Sequence, residues 1–487
     1  MKWAKILLGL LLVPGAVKAA DYTWNNTAGT LWAAGTWSGA GSYPNSAGDN
    51  LTTPSAYGRL DLDANYVVGN VTFGTPSAKA TTFWQIVPQN SVGSKSLDIT
   101  GTLSVADNVV FNSGVEVQNQ LVIRNTTYGQ LSLKINNIDS SGYLFLGQNE
   151  TSVLTKLEVT GLTEIKGRLL SVTANEATFG EVRLSQPTEG VTSIFRVSNY
   201  RTTNATGGVT VAGLSGTAGI VQGGNAGTGH TVTGTLKINT QAATSYTYNG
   251  TLVDGIGEGT NHLVLVKQGT GTQVIGGANT HSGGTIIEAG TLLVTNTDSA
   301  SSGLGTGAVQ VQSGGTLGGN GYIALGGSNT ISVLAGGVLA PGQNGLGTLT
   351  LNGGATSGAI LSLASGSAFE FGLGAGNTSD QIAFWNYAGA SDFLLSNNAI
   401  NFTGAQEGVY TLFTFFSDNG LTAAASGLTG GLNLAGFTGL EGFQTSINYG
   451  TSEITLTLSA VPEPGTMALL GVCAVAGLLV KLRRRQS

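Results

Sequence analysis

The chain of 487 residues has almost no cysteine and little charge. Its one cysteine, Cys473, lies in an apolar run near the C-terminus, so the rest of the chain contains neither a disulfide nor a cysteine-ligated metal site. Charged residues make up 9% of the chain, and no Lys or Arg occurs at 268–480. That half lacks the basic surface that binds phosphate groups, which excludes nucleic acid as a partner.

Helical periodicity is also lacking between the two termini. Runs such as SLDITGTLSV, TLKINT and GTIIEAGTLLV alternate Val, Ile and Leu with Thr, Ser and Gly, and they end at Gly, Asn or Ser. A period of two over short runs, separated by turn residues, predicts β-strands. We therefore expect a body that is almost entirely β.

Glycine is concentrated at 269–359, where 25 of the 91 residues are Gly and the charged residues are Glu288 and Asp298. Gly-Gly pairs recur along this stretch, at 283–284, 314–315, 336–337 and 353–354. Spacing near twenty predicts the coils of a parallel β-solenoid, in which each coil covers the strand edges of the next. Glycine suits the corners because it reaches positive φ without steric cost.

A specific pattern begins just before this stretch, where residues 265–292 read LVKQGTGTQVIGGANTHSGGTIIEAGTL. It resembles the autotransporter-associated β-strand repeat, also called the passenger-associated transport repeat. The matching positions are Leu265, Lys267, Gly269, Gly271, Gly277, Asn279, Gly283, Gly284, Thr285, Ile287, Gly290, Thr291 and Leu292. The resemblance implies a right-handed parallel β-helix. The chain departs from that family because it ends in an apolar tail, where a membrane-barrel translocator of amphipathic strands is expected.

The N-terminus resembles a secretory signal. Lys2 and Lys5 precede an apolar run at 6–13, and small residues at 16–20 are typical of a cleavage site. We predict a signal peptide at 1–20, rather than an N-terminal core helix, and export by Sec-type machinery.

The C-terminal end combines three features, a Pro-Glu-Pro motif, an apolar run and a basic end. The apolar run at 466–480 carries no charge. As a helix it would extend only about 22 Å, against a hydrocarbon core of roughly 30 Å, which is short for a permanent anchor. The basic residues are expected to stay in the cytoplasm, so the body lies outside it. These residues are Lys481, Arg483, Arg484 and Arg485.

This order of features resembles the PEP-CTERM sorting signal of bacteria that make an exopolysaccharide matrix. The resemblance implies a sorting motif that is recognised by an exosortase-like protease, a transmembrane helix at 466–482 that anchors the chain transiently, and cations that fix its orientation. The motif residues are Val461, Pro462, Glu463 and Pro464. The implied location is the cell surface or extracellular matrix, with exopolysaccharide or other surface glycans as candidate partners. The alternative is an ordinary tail anchor that is not cleaved.

The predicted fold class is all-β, a right-handed parallel β-helix with an N-terminal cap, a C-terminal β-rich segment and a short C-terminal transmembrane helix. Its segments are the signal peptide at 1–20, cap or early coils at 21–88, solenoid at 89–264, repeat region at 265–359, β-rich segment at 360–460 and sorting signal at 461–487. The cap holds Trp24, Trp32, Trp37 and Trp84. We expect the rings of Trp24, Trp32 and Trp37 to pack within the cap rather than to stack on sugars. When the predicted signal peptide and sorting signal are left out, the chain has 13 Lys and Arg and 25 Asp and Glu, so the exported body is acidic.

Residues with catalytic or metal-binding chemistry are few. His230, His262 and His281 lie beside Thr, Asn or Ser without metal-ligand spacing, and we expect solvated turn residues. Asp254, Asp298 and Asp380 lack the spacing of a calcium repeat. The stretch GTGTQVIGG is not followed by a helix that could bind a phosphate. We expect no catalytic, cofactor-binding or metal-binding residue.

Two function classes remain, a structural or adhesive surface protein and a polysaccharide-cleaving β-helix enzyme. The enzyme would use the charged stretch at 156–183, or Asp61 and Asp63, which strand parity places on one face. Its charged candidates are Lys156, Glu158, Glu164, Lys166, Arg168 and Glu176. Cleavage of a glycosidic bond needs carboxylates gathered in one cleft. We favour the non-catalytic class, in which these residues form a solvated face.

Overall fold

The computed structural model describes residues 20–24, 30–31, 37–39, 44–53, 58–73, 83–88, 93–105, 110–112, 115–117, 120–123, 129–147, 153–186, 191–198, 205–352, 359–385, 393–394, 398–416, 432, 436–450 and 452–461. These residues form β-strands and, as their one helical element, the 3₁₀ turn Ala375–Asn377. The all-β prediction is confirmed. In this part of the chain no helix is long and apolar enough to span a membrane. The predicted signal peptide, apart from Ala20, and the predicted helix at 466–482 lie outside these ranges.

The strands follow one another in short segments along the chain. The first half contains β1 (Asp21–Trp24), β2 (Thr30–Leu31), β3 (Trp37–Gly39), β4 (Asn50–Thr53), β5 (Gly58–Leu62), β6 (Tyr66–Val68), β7 (Val71–Phe73), β8 (Phe83–Pro88), β9 (Gly93–Val105), β10 (Val110–Asn112), β11 (Val115–Val117), β12 (Gln120–Ile123), β13 (Gly129–Ser140), β14 (Tyr143–Leu146), β15 (Lys156–Val159), β16 (Thr163–Ile165), β17 (Leu169–Val172), β18 (Ala177–Leu184), β19 (Ile194–Arg196), β20 (Ala205–Gly216), β21 (Ile220–Ala226) and β22 (Thr231–Asn239). The second half contains β23 (Ser245–Tyr248), β24 (Thr251–Gly257), β25 (Thr260–Gln268), β26 (Thr272–Ile275), β27 (Thr285–Ile287), β28 (Gly290–Val294), β29 (Val309–Val311), β30 (Gly315–Gly319), β31 (Tyr322–Ala324), β32 (Ile331–Val333), β33 (Val338–Pro341), β34 (Thr348–Asn352), β35 (Leu361–Leu363), β36 (Ala368–Gly374), β37 (Thr378–Ser379), β38 (Gln381–Trp385), β39 (Phe393–Leu394), β40 (Ala399–Thr403), β41 (Gly408–Phe415), β42 (Phe443–Tyr449) and β43 (Glu453–Ala460).

The chain forms two compact units, residues 1–238 with 253–263, and residues 239–252 with 264–487. In the first unit, strands of successive coils pair in parallel, β9 with β13, β13 with β15 and β16, and β18 with β20. A second parallel sheet runs through β5, β8, β12, β14, β17, β19 and β21. Leu97, Leu133 and Leu157 occupy equivalent positions and are buried. This stacking of like residues fits a β-helix.

Asparagine and glycine stack at one corner of the first unit. The Asn70 side-chain oxygen accepts a hydrogen bond from the backbone N–H of Thr102 at 2.9 Å, and Asn137 does the same for Leu162 at 2.9 Å. A Cβ atom added at Gly101 would collide with the Asn70 amide. Glycine is therefore required beside the asparagine, because any larger residue would displace the amide that holds the corner.

The second unit repeats the parallel pairing. One column of register partners consists of Leu265, Thr285, Val309, Ile331, Leu361 and Phe393, which follow one another at unequal intervals of sequence. The last strands change direction, because β43 pairs antiparallel with both β41 and β42. Phenylalanine rings fill the core near this end, including Phe369, Phe384 and Phe413. Coil length therefore varies while the paired strands stay in register.

One column of glycines forms a corner of these coils. The N–H of Gly290 donates to the carbonyl of Gly314 at 3.0 Å, Gly314 to Gly336 at 3.0 Å, and Gly336 to Gly366 at 2.8 Å. All four have positive φ, between 66° and 83°. The predicted use of glycine at corners is confirmed, but the pair at 283–284 belongs to a different corner, next to Ala308. The pair at 353–354 lies in a part of the chain that the structure does not describe.

The N-terminal strands combine two pairing directions. Strand β1 pairs antiparallel with β3 and parallel with β4, and β4 pairs parallel with β7. Trp32 and the side chains of the other three tryptophans of the predicted cap fall outside the described set. The prediction that Trp24, Trp32 and Trp37 pack within the cap stays a prediction.

Candidate functional site: paired charges and a polar groove

The charged residues predicted as a candidate site lie on the outer face of the first unit. Register places Lys134, Glu158, Thr178, Thr210 and Lys237 side by side on successive coils. Glu158 lies 3.7 Å from Lys134 Nζ and 3.7 Å from Lys156 Nζ. These side chains point outward because they alternate with buried Leu and Val along each strand. We call the charged residues at one end of this row, Lys134, Lys156 and Glu158, the first charge ladder.

The first ladder continues to Glu176, whose carboxylate lies 3.9 Å from Lys156 Nζ. A second charge ladder runs beside it, where Asp139, Glu164 and Arg183 are register partners. Lys166 Nζ lies 3.1 Å from both acids of this row. Its hydrogen bonds raise the pKa of Lys166, and the bond to Glu164 has a larger effect than the bond to Asp139.

Both ladders are exposed to solvent, with side-chain exposures between 22% and 63% in the ion pairs. Lys156 pairs with Glu158 and Glu176, and Lys166 pairs with Asp139 and Glu164. Pairs of this kind contribute about 0–1 kcal/mol each, because water screens them. The ladders thus have the character of a solvated, internally compensated face.

The remaining candidates of the charged set lie apart from the ladders. Asp61 is buried in β5, whereas Asp63 follows the end of that strand and accepts a hydrogen bond from the Tyr66 hydroxyl. The prediction that Asp61 and Asp63 share a strand face is wrong, because the strand ends at Leu62. The guanidinium of Arg168 lies 6.0 Å from the centre of the Tyr143 ring, and its backbone has φ of 53°.

A polar groove of about 540 Å³ lies next to the first ladder. Strands β18, β20 and β22 form its floor, at a point where Gly207 and Gly208 carry no side chain. Its charged lining residues are Glu176 and Lys237. Hydroxyl and amide groups come from Asn175, Thr178, Thr210 and Thr235. A shallow surface of hydroxyls with one acid and one cation can hydrogen-bond a hydroxyl-rich ligand.

Sequence reasoning missed most of this groove. Gly208 is opposite Thr235 in register, and a Cβ atom there would collide with the Thr235 carbonyl. The available signal was the glycine pair inside a run of Thr and Val at 205–211. Glycine within a strand indicates a close approach of another backbone, and here it also opens the surface.

The histidines differ from the expected solvated turns. His230 lies in a turn, but His262 lies within β25 and His281 is fully buried. The prediction is therefore wrong for His262 and His281. The Nε2 atom of His281 lies 3.2 Å from the Thr285 hydroxyl, which makes it a packing residue of the repeat.

The three aspartates considered for calcium bind backbone N–H groups instead. Asp254 accepts from Leu263 at 2.9 Å, and Asp298 accepts from Ala300 at 2.9 Å. Asp380 is buried and accepts from Gly347 and Gly372, both at 2.7 Å, while desolvation raises its pKa. Among the residues that the structure describes, no group of three His, Cys, Asp or Glu is placed to hold a metal ion.

The repeat contains a buried lysine. Lys267 is fully buried, and its ammonium donates to the carbonyls of Gln268 at 2.8 Å, Gly269 at 2.8 Å and Ala289 at 3.2 Å. Burial lowers the pKa of Lys267 to about 8. The acceptors belong to two consecutive corners, so this lysine serves the coil rather than a ligand.

Two family models match the chain. The passenger-associated-transport-repeat matches residues 265–294, and the PEP-CTERM protein-sorting motif matches residues 460–485. Both resemblances are confirmed. No curated protein matches the chain.

A solved structure, the crystal structure of the Haemophilus influenzae Hap adhesin, is similar over 84% of this chain and 64% of that chain, at 11% identity and a TM-score of 0.23. The chain thus spans less than two thirds of that adhesin. The two family matches and the parallel sheets together indicate an exported, surface-associated β-helix protein with a passenger repeat and a PEP-CTERM motif.

Proposed function

We propose that this protein is a non-catalytic adhesive component of the bacterial surface or extracellular matrix, and that it binds polysaccharide in the polar groove. The observation that carries the proposal is the lining of the groove, which combines four hydroxyl and amide side chains with two glycines and three small apolar residues. Polysaccharides present hydroxyl groups that both donate and accept hydrogen bonds, as Thr and Asn side chains do. The volume of about 540 Å³ is within the range of ligand sites.

The alternative is a polysaccharide-cleaving enzyme that uses the charged stretch at 156–183. Glycosidases place two carboxyl groups on either side of the scissile bond. Here Glu176 is the one carboxylate that lines the groove, and Glu158, Glu164 and Glu176 all have lysine partners in the ladders. This arrangement favours binding over cleavage.

The route to the surface is part of the proposal. Sec-type export would remove 1–20, the helix at 466–482 would anchor the chain transiently, and an exosortase-like protease would cleave near the motif at 461–464. The six segments of the sequence remain the proposed domain division. We propose a right-handed β-helix, because crossovers between parallel strands are right-handed in about 98% of cases.

The test compares purified mature protein with a variant in which the groove is filled, Thr210→Trp. Affinity is measured by affinity electrophoresis in soluble neutral β-glucan and in alginate. We expect about a tenfold loss or more for Thr210→Trp, because the indole occupies the space of the ligand. Thr72→Trp is the matched control, since Thr72 is exposed on the outer face of β7, away from the groove lining.

Equal binding by wild type and Thr210→Trp would overturn the groove as the binding site. Reducing ends are measured in the same samples. If wild type released reducing ends and Glu176→Gln did not, the enzyme alternative would replace the adhesive one.

A further inference from the structure

Three aromatic rings lie next to one another on the outer face of the second unit. Tyr322 is on β31, Trp385 ends β38, and Phe416 directly follows β41. The ring centres of Tyr322 and Trp385 are 6.2 Å apart, and those of Trp385 and Phe416 are 6.5 Å apart. We call these residues the ring cluster.

The ring cluster is exposed, although rings of this size are usually buried. Trp385 is 39% exposed and Phe416 is 38% exposed. The neighbouring residues Phe384 and Phe415 point the other way, are fully buried and stack on each other in the core. Alternation along the strands therefore directs one aromatic set inward and the other toward solvent.

Small side chains on β34, the strand between β31 and β38, allow the rings of Tyr322 and Trp385 to meet. Strands β31 and β38 both pair with β34, so they are two strand spacings apart, roughly 10 Å. On β34, Thr350 is opposite Tyr322 and Asn352 is opposite Trp385. Both are short enough for the rings to approach each other above them. The interplanar angles of 79° and 67° are edge-to-face contacts, which hold the indole in place.

We propose that the ring cluster is a second polysaccharide-binding site, which takes a neutral glycan chain by stacking of its sugar rings on Trp385. Aromatic faces carry partial negative charge and attract the C–H groups on the flat side of a pyranose ring.

Charge selects a neutral ligand over an anionic one. No Lys or Arg occurs at 268–480, a range that contains all three rings. An anionic polysaccharide would find no cation in this range to pair with. The first unit differs, because its groove contains Lys237. The inference rests on the proposed role in glycan binding, but it uses separate residues.

The experiment titrates purified mature protein with cellohexaose, a neutral oligosaccharide, and with an alginate oligosaccharide by calorimetry. Four proteins are compared in the Thr210→Trp background, which isolates this site from the groove. They are the parent, Trp385→Ala, Trp385→Phe and Tyr246→Ala. Tyr246 is a partly exposed ring on β23 of the same unit and serves as the matched control.

We expect Trp385→Ala to weaken cellohexaose binding about two- to tenfold, the contribution of one aromatic contact. Trp385→Phe should retain most of the affinity because it keeps a flat ring, and Tyr246→Ala should match the parent. Binding by the parent confined to alginate would overturn the proposal, as would equal cellohexaose binding by parent and Trp385→Ala. Circular dichroism of each variant checks that the strands remain folded.

Sedimentation distinguishes two possible partners of the ring cluster, a glycan and a second copy of the chain. A constant mass in wild type and Trp385→Ala supports the proposal. A dimer in wild type that dissociates in Trp385→Ala would overturn it, because the rings would then be covered by protein. The proposal for the groove can be overturned separately from the proposal for the ring cluster. This would be the result if Thr210→Trp bound glycan as well as wild type while Trp385→Ala in the wild-type background bound it less well.

Discussion

The ammonium of Lys267 donates a hydrogen bond to the carbonyl of Ala289, 22 positions later in the chain, at 3.2 Å. It also donates to Gln268 and Gly269 at the preceding corner. Three acceptors satisfy the three N–H groups of an ammonium. One side chain thereby ties two consecutive coils at the point where the passenger repeat turns.

Replacing Lys267 with Met should destabilise the repeat by about 2–3 kcal/mol, because buried carbonyls lose their donors. Hydrogen exchange of peptides from 265–294 measures the effect locally, which suits a repeat that need not unfold with the whole chain. Lys237→Met, at an exposed lysine of β22, is the control and should leave this exchange unchanged. Equal protection in both variants would contradict the role of Lys267.

The stabilising effect of Lys267 should depend on pH. Its folded-state pKa is lowered by desolvation to about 8, below the ordinary 10.5. Between these values the unfolded chain holds a proton that the folded chain has released, so the free energy of unfolding rises with pH. Wild type should therefore gain stability relative to Lys267→Met as pH increases from 8 toward 10.5, as measured by urea unfolding. If wild type instead lost stability relative to Lys267→Met as pH rises, the folded state would prefer the charged lysine.

Two glycines of the corner column should respond unequally to alanine. Both have positive φ, 66° for Gly290 and 83° for Gly314. A Cβ atom at Gly314 meets no atom within 4 Å, whereas at Gly290 it would lie 2.6 Å from the Gly271 carbonyl oxygen. Gly314→Ala should cost about 1–2 kcal/mol through φ alone, and Gly290→Ala should cost more. Thermal unfolding of the two variants measures the difference, and equal costs would contradict the steric argument.

Asn279 is buried and should be sensitive to loss of its amide. Its Oδ1 accepts from the Leu252 N–H at 2.7 Å, and its Nδ2 donates to the Gly303 carbonyl at 2.5 Å. Asn279→Ala should destabilise the unit by about 1–3 kcal/mol, since both backbone groups lose their partner. Asn329→Ala is the control, because that exposed side chain donates one bond to Thr306. Urea unfolding with similar midpoints for both variants would refute this assignment.

Processing of the tail should depend on the sorting motif. We expect intact-mass analysis of protein recovered from extracellular material to show that the residues after about 460 have been removed. Replacing Pro462, Glu463 and Pro464 with Ala should retain the tail and the membrane association. If both proteins keep an intact Arg-rich end in the membrane fraction, the chain is an uncleaved tail-anchored protein.

The local alternation of polar and apolar residues was sufficient to predict that this chain forms short β-strands. In β22 the alternation of Thr, Lys and Asn with Val, Leu and Ile matches an alternation of exposed and buried positions, because side chains in a strand point to opposite faces. The corner residues were harder to assign. Gly284 and Gly290 are both plausible turn residues, and only hydrogen bonding with neighbouring coils distinguishes their corners.

The surfaces could be predicted less well than the strands. Tyr322, Trp385 and Phe416 are far from one another in the sequence, at unequal intervals without a regular period. They meet because β31, β34, β38 and β41 are adjacent and because β34 carries small residues at that level. The same holds for the polar groove, where Thr178, Thr210 and Lys237 come together through register alone.

The coils around Gly290 also suggest how such a chain can lengthen during evolution. Gly290, Thr291 and Leu292 pair in register with Gly315, Thr316 and Leu317. A duplication in the gene of the segment 290–314 would therefore insert one complete coil whose two edges match their new neighbours. The chain can gain or lose length in whole coils while the outer surface diversifies one position at a time.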